Sequence, residues 1–291
     1  MGLKNTAVIG AGLMGSGIAQ SLAMGGKQAA LYDSSKEALK KAEASIEKSL
    51  KRLVKAGTME EHEVIAAMEN IRPVHDVCSA VKDAELVIEA VPESMTLKEL
   101  VFEELDRLAP PEAILATNTS ELSVTAIASA TSRPEKVLGM HWFNPAPVMR
   151  LIEIVQGEET NAETIEAVQN VSREIGKETV LVKDRQGFVT TRALTAHMLE
   201  CIRMHEEHVA GPEDIDKAIR LGLNYPMGPL ELADLVGLDT MLFVSEGLAA
   251  AYGERFLPPQ ILRKLVEAGH FGRKSGKGFY NYKEQRETSK R

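Results

Sequence analysis

The hydrophobic positions of the chain follow two patterns, and the change between them divides the sequence. Up to about residue 185, short apolar runs typical of strands alternate with stretches of helical periodicity. Beyond that point no convincing strand pattern remains, and helices are predicted over 187–208, 212–221, 229–236, 240–252 and 259–268. Three of these helices begin near a proline, where a missing N–H costs no hydrogen bond: Pro212, Pro229 and Pro259. We therefore predict a first domain over 1–185 and an all-helical second domain over 186–291.

The first domain is predicted to be an α/β fold with a mainly parallel sheet, because its strands and helices alternate. Strands are predicted over 3–9, 28–32, 85–91, 113–116, 137–142, 151–155 and 179–182. Helices are predicted from after Gly15 to about Met24, and over about 34–56, 60–70, 96–108 and 163–175. Two of the helices carry N-terminal capping signals, Ser34 with Glu37 and Thr96 with Glu99.

Composition and charge exclude several classes of protein. The 291 residues are 44% hydrophobic and 26% charged, as in soluble globular proteins. A formal charge of −8 argues against general nucleic-acid binding, which requires a basic surface. No apolar run approaches the roughly 18 residues of a membrane span, and no export signal precedes the first strand. Cys78 and Cys201 lack metal-ligand spacing, so we expect no disulfide framework, no metal site and a cytoplasmic setting.

Three glycines between the first predicted strand and helix form a GxGxxG motif. Gly10 permits a tight turn, Gly12 lets the backbone approach a pyrophosphate, and Gly15 lets the helix pack on the strand. Asp33 ends the second strand, at the distance expected of a carboxylate that binds the adenosine ribose hydroxyls. An acid there repels a 2'-phosphate, so NAD is favoured over NADP, although Lys36 leaves room for NADP. The alternative is a purely structural glycine turn.

A histidine and a carboxylate stand in the two strands that flank an Asn-Pro-Ala-Pro turn. If these strands are neighbours, the turn brings His141 towards Glu153. Such a pair supplies a base near neutral pH and the group that orients it. The alternative is a strand-end histidine with a solvent-facing glutamate.

Polar residues also follow the other predicted strands. Glu93, Asn118 and Ser120 stand after strand ends, where ligands of open α/β sheets bind, although turn formation and capping also explain them. On the helix predicted over 34–56, basic residues recur on one face beside Ser49: Lys41, Lys48, Arg52 and Lys55. This face is either an ordinary solvated surface or a docking site for a phosphorylated ligand tail.

These motifs, taken in order, resemble the 3-hydroxyacyl-CoA dehydrogenase family over nearly the whole chain. The matching segments are GAGLMGSGIAQ, ATNTS, GMHWFNPAPVMRLIEIV, LGLNYPMGPLELADLVGLD and FGRKSGKGFYNY. The resemblance implies an NAD-binding Rossmann-type domain and a helical domain that forms a homodimer. It also implies that acyl-CoA binds in the cleft between them.

The resemblance implies a role for individual residues. His141 matches the catalytic base, Glu153 its orienting carboxylate, and Ser120 a serine between nicotinamide and substrate. The implied cofactor contacts are Gly10, Gly12, Leu13, Met14, Gly15, Asp33, Glu93, Lys98, Ser120, Asn144 and Lys274. The implied substrate contacts are Ser49, Lys55, Ser120 and Thr191.

Two positions depart from the family pattern. The family lysine that follows the serine at 49 has no clean counterpart, because Ala56 occupies the equivalent position and Lys55 is only close to it. Thr191 stands where the family usually has an asparagine in contact with the substrate. A threonine side chain is shorter than that of asparagine and offers fewer hydrogen bonds. The alternatives are that a water or Thr190 compensates, or that the substrate preference differs.

The expected activity is reversible oxidation of a short-chain (S)-3-hydroxyacyl-CoA, such as 3-hydroxybutyryl-CoA, to the 3-ketoacyl-CoA. One alternative is a related dehydrogenase of a free hydroxy acid or sugar acid with the same fold and dyad. Another is a non-catalytic NAD-binding or structural protein, against which the presence of His141, Glu153 and Ser120 together argues.

Overall fold

A computed structural model describes residues 2–283. Contacts divide the chain into two compact units, residues 1–188 and 189–291. Residues 284–291, which complete the predicted second domain, lie outside the described residues. The contact boundary falls three residues after the predicted one because Phe188 packs in a small cluster with Val124, Val155 and Val182.

The first unit contains one eight-stranded sheet of order β3-β2-β1-β4-β5-β6-β7-β8. Its strands are β1 (Asn5–Ile9), β2 (Gln28–Tyr32), β3 (Ile71–Val74), β4 (Leu86–Glu89), β5 (Ile114–Thr117), β6 (Val137–Trp142), β7 (Leu151–Gln156) and β8 (Glu178–Lys183). Its helices are α1 (Leu13–Met24), α2 (Lys36–Lys55), α3 (Glu61–Glu69), α4 (Val77–Val81), α5 (Met95–Leu108), α6 (Val124–Ala128) and α7 (Ala162–Glu174).

All neighbouring strands are parallel except β6 and β7, which a short turn joins as an antiparallel pair. One face of the sheet packs against apolar residues of α1, α2 and α7, including Ile18, Ile46 and Val168. The other face packs against α5 and α6 through Phe102 and Ile127. The predicted α/β fold with a mainly parallel sheet is therefore confirmed.

Some predicted details of the first unit were wrong or missing. The N-cap of α2 is Ser35, whose hydroxyl accepts the Ala38 N–H, and not Ser34. Helix α5 begins after Ser94, two residues before the predicted cap. Strand β3 was missed because it has four residues and contains Pro73, which is tolerated at a sheet edge. Helices α4 and α6 have five residues each, too few to show helical periodicity.

The described part of the second unit is helical, as predicted. Its helices are α8 (Thr190–Glu206), α9 (Pro212–Gly222), α10 (Pro229–Val236), α11 (Leu238–Tyr252) and α12 (Gln260–Glu267). Leu199, Leu230, Leu248 and Leu262 lie in its core. Within residues 2–283, no single helix has the length and apolarity of a membrane span; α10 and α11 meet that test only jointly, across a 98° bend.

Candidate active site

The glycine loop between β1 and α1 has the geometry of a dinucleotide-binding turn. Gly10 has a positive φ of +105°, and a Cβ on Gly15 would lie 1.7 Å from the Gly10 carbonyl oxygen, so both positions require glycine. A Cβ on Gly12 would meet no protein atom within 4 Å. The backbone at Gly12 and the first turn of α1, with Leu13 72% exposed, are thus open to an anion. Met14 is partly buried against the core.

Asp33 connects the glycine loop to the end of β2. Its Oδ2 accepts the Ala11 N–H at 2.9 Å and its Oδ1 accepts the Ser35 N–H at 2.9 Å. These bonds orient the carboxylate beside the loop. Because a carboxylate has about four acceptor positions, it retains capacity for ribose hydroxyls. The residues present therefore fit a dinucleotide.

A buried charge network lies at the carboxyl end of β4. Lys98 Nζ donates to Glu89 Oε1 at 2.6 Å and lies 3.4 Å from Glu93 Oε2. Glu89 also accepts from Thr117 Oγ1 at 2.7 Å and from the Val91 N–H at 2.7 Å. Lys98 is only 1% exposed, so its ammonium faces carboxylates of the protein itself.

The loop after β5 is held by Glu93. Glu93 Oε1 accepts the Ser120 N–H at 2.8 Å and the Thr119 hydroxyl at 2.5 Å. Asn118 Oδ1 accepts the Trp142 N–H at 3.0 Å, which joins the end of β5 to the end of β6. The predicted strand-end residues of the first unit thus meet at one edge of the sheet.

His141 and Glu153 form a hydrogen-bonded pair. They are opposite each other in the antiparallel register of β6 and β7, and His141 Nδ1 lies 2.6 Å from Glu153 Oε2. Both side chains are buried, Glu153 completely, and the imidazole contacts the rings of Phe143 and Phe188. A carboxylate at Nδ1 holds the proton on that nitrogen, which makes Nε2 the basic nitrogen. The pair therefore has the geometry of a general base with its orienting group.

A cavity of about 320 Å³ lies beside the turn that follows β6. It is lined by α1, α2 and residues 144–147, and includes Ser49, Lys48 and Arg52. Lys55 does not line it; it lies on an adjacent groove of α2 with Lys48 and Arg52. The family resemblance indicated Lys55, and not Lys48 or Arg52, as the substrate contact because Lys55 is nearest in sequence to the position of the missing family lysine.

Thr191 and Lys274 belong to the second unit. Thr191 lies in the first turn of α8, and Lys274 forms a salt bridge with Asp239 at 2.5 Å. Within residues 2–283, no group of three or more histidine, cysteine, aspartate or glutamate side chains is placed to hold a metal ion.

Glu121 is a buried acid that sequence reasoning missed. Burial, together with the negative charge of Glu93, raises the pKa of Glu121 to about 7, although a hydrogen bond with Gln186 opposes this. Its Oε2 has no hydrogen-bond partner among the described residues. The only signal in the sequence is its position directly after Ser120, which does not distinguish it from a surface residue.

Comparisons with known proteins show the family of the chain. Residues 5–185 match the family model of the 3-hydroxyacyl-CoA dehydrogenase NAD binding domain, and residues 187–282 match that of the 3-hydroxyacyl-CoA dehydrogenase C-terminal domain. A Bacillus subtilis protein named probable 3-hydroxybutyryl-CoA dehydrogenase is 43% identical over 98% of this chain and 99% of its own length. Human mitochondrial hydroxyacyl-coenzyme A dehydrogenase is 41% identical over 97% of this chain and 92% of its own.

A solved structure supports the same assignment. The crystal structure of (S)-3-hydroxybutyryl-CoA dehydrogenase PaaH1 from Ralstonia eutropha has a TM-score of 0.93 and 38% identity, over 96% of this chain and 99% of that one. The cofactor of this fold family is NAD, for which the glycine loop and Asp33 are suited. The chain therefore belongs to the 3-hydroxyacyl-CoA dehydrogenase family, whose members are oxidoreductases.

Proposed function

We propose that the protein catalyses the reversible oxidation of a short-chain (S)-3-hydroxyacyl-CoA to the corresponding 3-ketoacyl-CoA, with NAD as the hydride acceptor. The observation that carries this proposal is the buried His141–Glu153 pair, with Nδ1 and Oε2 2.6 Å apart. The name of the Bacillus subtilis relative, a probable 3-hydroxybutyryl-CoA dehydrogenase, supports the short chain.

In the oxidation direction, His141 Nε2 removes the proton of the substrate hydroxyl while the hydride leaves C3. NAD, when bound, supplies the acceptor for that hydride. Glu153 holds the imidazole and stabilises its charged form. Ser120 is proposed to donate a hydrogen bond to the substrate oxygen, as is Thr191 on the basis of the family resemblance. In the reverse direction, His141 returns the proton to the oxygen.

The proposed cofactor contacts are those that the resemblance implies, with one refinement. Lys98 is buried against Glu89 and Glu93, so we propose that it acts on the cofactor site by holding Glu93. Glu93 in turn holds the backbone N–H of Ser120. Asn144 and Lys274 remain proposed direct contacts.

We propose that the CoA phosphates bind at the cavity that includes Ser49, Lys48 and Arg52. Lys48 and Arg52 supply the positive charge that the family lysine would contribute and that Ala56 lacks. Lys55, in the adjacent groove of α2, adds to this charge. Arg52→Met is expected to raise the KM for acetoacetyl-CoA about threefold to tenfold while leaving the KM for NADH unchanged. Lys41→Met is the matched control, because Lys41 is an exposed residue of α2 that pairs with Glu37 and does not line the cavity.

One assay tests the activity and separates it from its rivals. Oxidation of NADH should be rapid with acetoacetyl-CoA and slow with free 3-keto acids. His141→Gln should lower kcat about 10²- to 10⁴-fold, whereas the exposed His62→Gln should not. Turnover of free keto acids alone would favour a free hydroxy-acid dehydrogenase, and no turnover of any substrate would favour a non-catalytic protein.

We also propose a homodimer formed through the second unit. Several large apolar side chains of that unit are exposed: Leu221, Leu223, Leu235, Phe243 and Leu257. Exposed apolar surface of this kind is typical of an association face. Light scattering at micromolar concentration should give twice the mass of 31.7 kDa, and a monomeric mass would exclude the dimer.

A further inference from the structure

Lys177 is a buried ammonium without an acidic partner. It follows α7, is 7% exposed and forms no salt bridge within the part of the chain that the structure describes. Burial lowers the pKa of Lys177. An unpaired buried charge is costly unless hydrogen bonds compensate for it.

Both side-chain hydrogen bonds of Lys177 reach one segment. Its Nζ donates to the carbonyl oxygens of Ala146 and Met149, both at 2.7 Å, and lies 5.8 Å from the centre of the Trp142 ring. These residues belong to the end of β6 and to the turn that follows it. The ammonium therefore joins this turn to the start of β8.

The backbone of Lys177 is itself fixed by the end of α7. The N–H of Gly176, which has a φ of +76°, donates to the Arg173 carbonyl, and the N–H of Lys177 donates to the Ser172 carbonyl. This is a Schellman motif, which places residue 177 at a defined point after the helix. The lysine is thus anchored at one end by the helix terminus and at the other by the turn.

The turn from 144 to 149 has two relations to the proposed function. It carries Asn144, a proposed cofactor contact, and residues 144–147 form one wall of the cavity proposed for CoA. Val148 and Met149 donate their N–H groups to the Pro145 carbonyl, which closes the turn locally. The ammonium of Lys177 connects the carbonyl groups at 146 and 149 to the rest of the unit.

We propose that Lys177 is a positioning residue, which holds the 144–149 turn in the shape that binds acyl-CoA and cofactor. The expected change in the KM for acetoacetyl-CoA rests on the proposed function. The expected loosening of the 144–149 turn does not. Since His141 and Glu153 lie in paired strands, loss of the ammonium should affect substrate binding more than the proton transfer itself.

The chain contains a matched control in Lys27. Lys27 is also 7% exposed and follows Gly26 in a Schellman motif at the end of α1, where its N–H donates to the Leu22 carbonyl. Its ammonium pairs with Glu174 and does not contact the turn. Lys177→Met and Lys27→Met therefore remove the same group from equally buried positions after a helix, and only Lys177→Met should release the turn.

Two measurements on the purified full-length protein test the proposal. In Lys177→Met, the amides of Val148 and Met149 should exchange hydrogen about tenfold faster than in the wild type, and in Lys27→Met they should not. The KM for acetoacetyl-CoA should rise about tenfold in Lys177→Met while kcat changes less than about threefold. Lys177→Arg, which keeps the charge and the donors, should recover part of both losses.

Unchanged exchange at 148 and 149 in Lys177→Met, or equal effects of the two methionine variants, would overturn the proposal. If Lys177→Met does not fold, Lys177→Arg decides, because a guanidinium is larger than the ammonium that lies 2.7 Å from both carbonyl oxygens and should loosen the turn in part. Absence of wild-type turnover with acetoacetyl-CoA would refute the proposed function, while the exchange measurement would still test Lys177.

Discussion

Both units bury carboxylates, but the partners of those carboxylates differ. In the first unit, Glu153 is bound to the imidazole of His141 and Glu89 to the ammonium of Lys98. In the second unit, Asp216 and Asp234 are equally buried, yet neither forms a salt bridge within residues 2–283.

The aspartates of the second unit bind backbone N–H groups and tyrosine hydroxyls. Asp216 accepts the N–H groups of Leu230 and Glu231 at the start of α10, and also the Tyr280 hydroxyl at 2.7 Å. Asp234 accepts the N–H groups of Phe279 and Tyr280 at 3.0 Å. Burial raises the pKa of Tyr280, so its hydroxyl remains a donor.

The difference shows what a buried carboxylate can do with each kind of partner. A carboxylate that holds a titratable imidazole can support proton transfer. One that holds several backbone N–H groups fixes the course of the chain, since each bond would leave a buried polar group unsatisfied if broken. We therefore expect substitutions in the first unit to affect turnover and those in the second to affect stability.

Substitution of Glu153, for which we expect the largest loss of activity, tests the catalytic role of the carboxylate beside His141. Glu153→Gln keeps the shape of the side chain but removes the charge that holds the imidazole. We expect kcat for acetoacetyl-CoA reduction to fall about 10²- to 10⁴-fold with little change in the KM for NADH. A variant that retained more than half of the wild-type kcat would mean that Glu153 is only structural.

Substitution of Gly278 tests the structural role of the buried Asp234 in the second unit. A Cβ on Gly278 would lie 2.0 Å from Asp234 Oδ1, so Gly278→Ala must displace that carboxylate. We expect a loss of about 1 to 3 kcal/mol in the free energy of unfolding, measured in urea. Gly222→Ala, at a helical position with no atom within 4 Å, is the control and should be neutral or slightly stabilising. Equal effects of the two substitutions would contradict the role given to Asp234.

Glu121 is a buried acid of the first unit that forms no salt bridge within residues 2–283. Its folded-state pKa of about 7 lies above the ordinary 4.5, so the folded state binds the proton more tightly. Its contribution to stability is therefore fully present below about pH 4.5 and is lost as the pH rises to about 7.

Glu121→Gln should remove this loss of stability at higher pH, because a glutamine side chain does not ionise. Relative to the wild type, we expect the variant to gain stability between about pH 5 and pH 8, by about 1 to 2 kcal/mol in urea unfolding. Glu69→Gln, at an exposed position of α3, serves as the control. A constant difference between wild type and Glu121→Gln across this range would show that Glu121 is ionised throughout.

Much of the first unit could be predicted from local pattern alone. The bounds of β2 and β6 agree with the prediction because each is a mostly apolar run that is followed by a clear polar or turn signal. Strand β3 could not be predicted, since its four residues become a strand only by pairing with β2. The N-cap positions of α2 and α5 were misplaced by one and two residues because neighbouring polar residues offer equivalent local signals.

Some residues of the candidate site could likewise be predicted from the sequence, and others could not. Gly10 and Gly15 could be identified from sequence because their requirement is local: one needs a positive φ and the other has no room for a Cβ. Arg52 and Lys48 could not be preferred over Lys55, since only the position of the 144–147 turn shows which face of α2 lines the cavity.

The amino-acid sequence was sufficient to predict the alternation of strands and helices, the glycine loop, and the placement of His141 and Glu153 on strands joined by a short turn. Three features became visible only in the folded chain: Lys98 faces Glu89, Glu121 is buried beside Glu93, and Lys177 donates a hydrogen bond to the turn after β6. The physical reason is that glycine conformations and strand periodicity depend on neighbours along the chain. The pairing and desolvation of a charge depend on residues that are distant in sequence, which folding alone brings together.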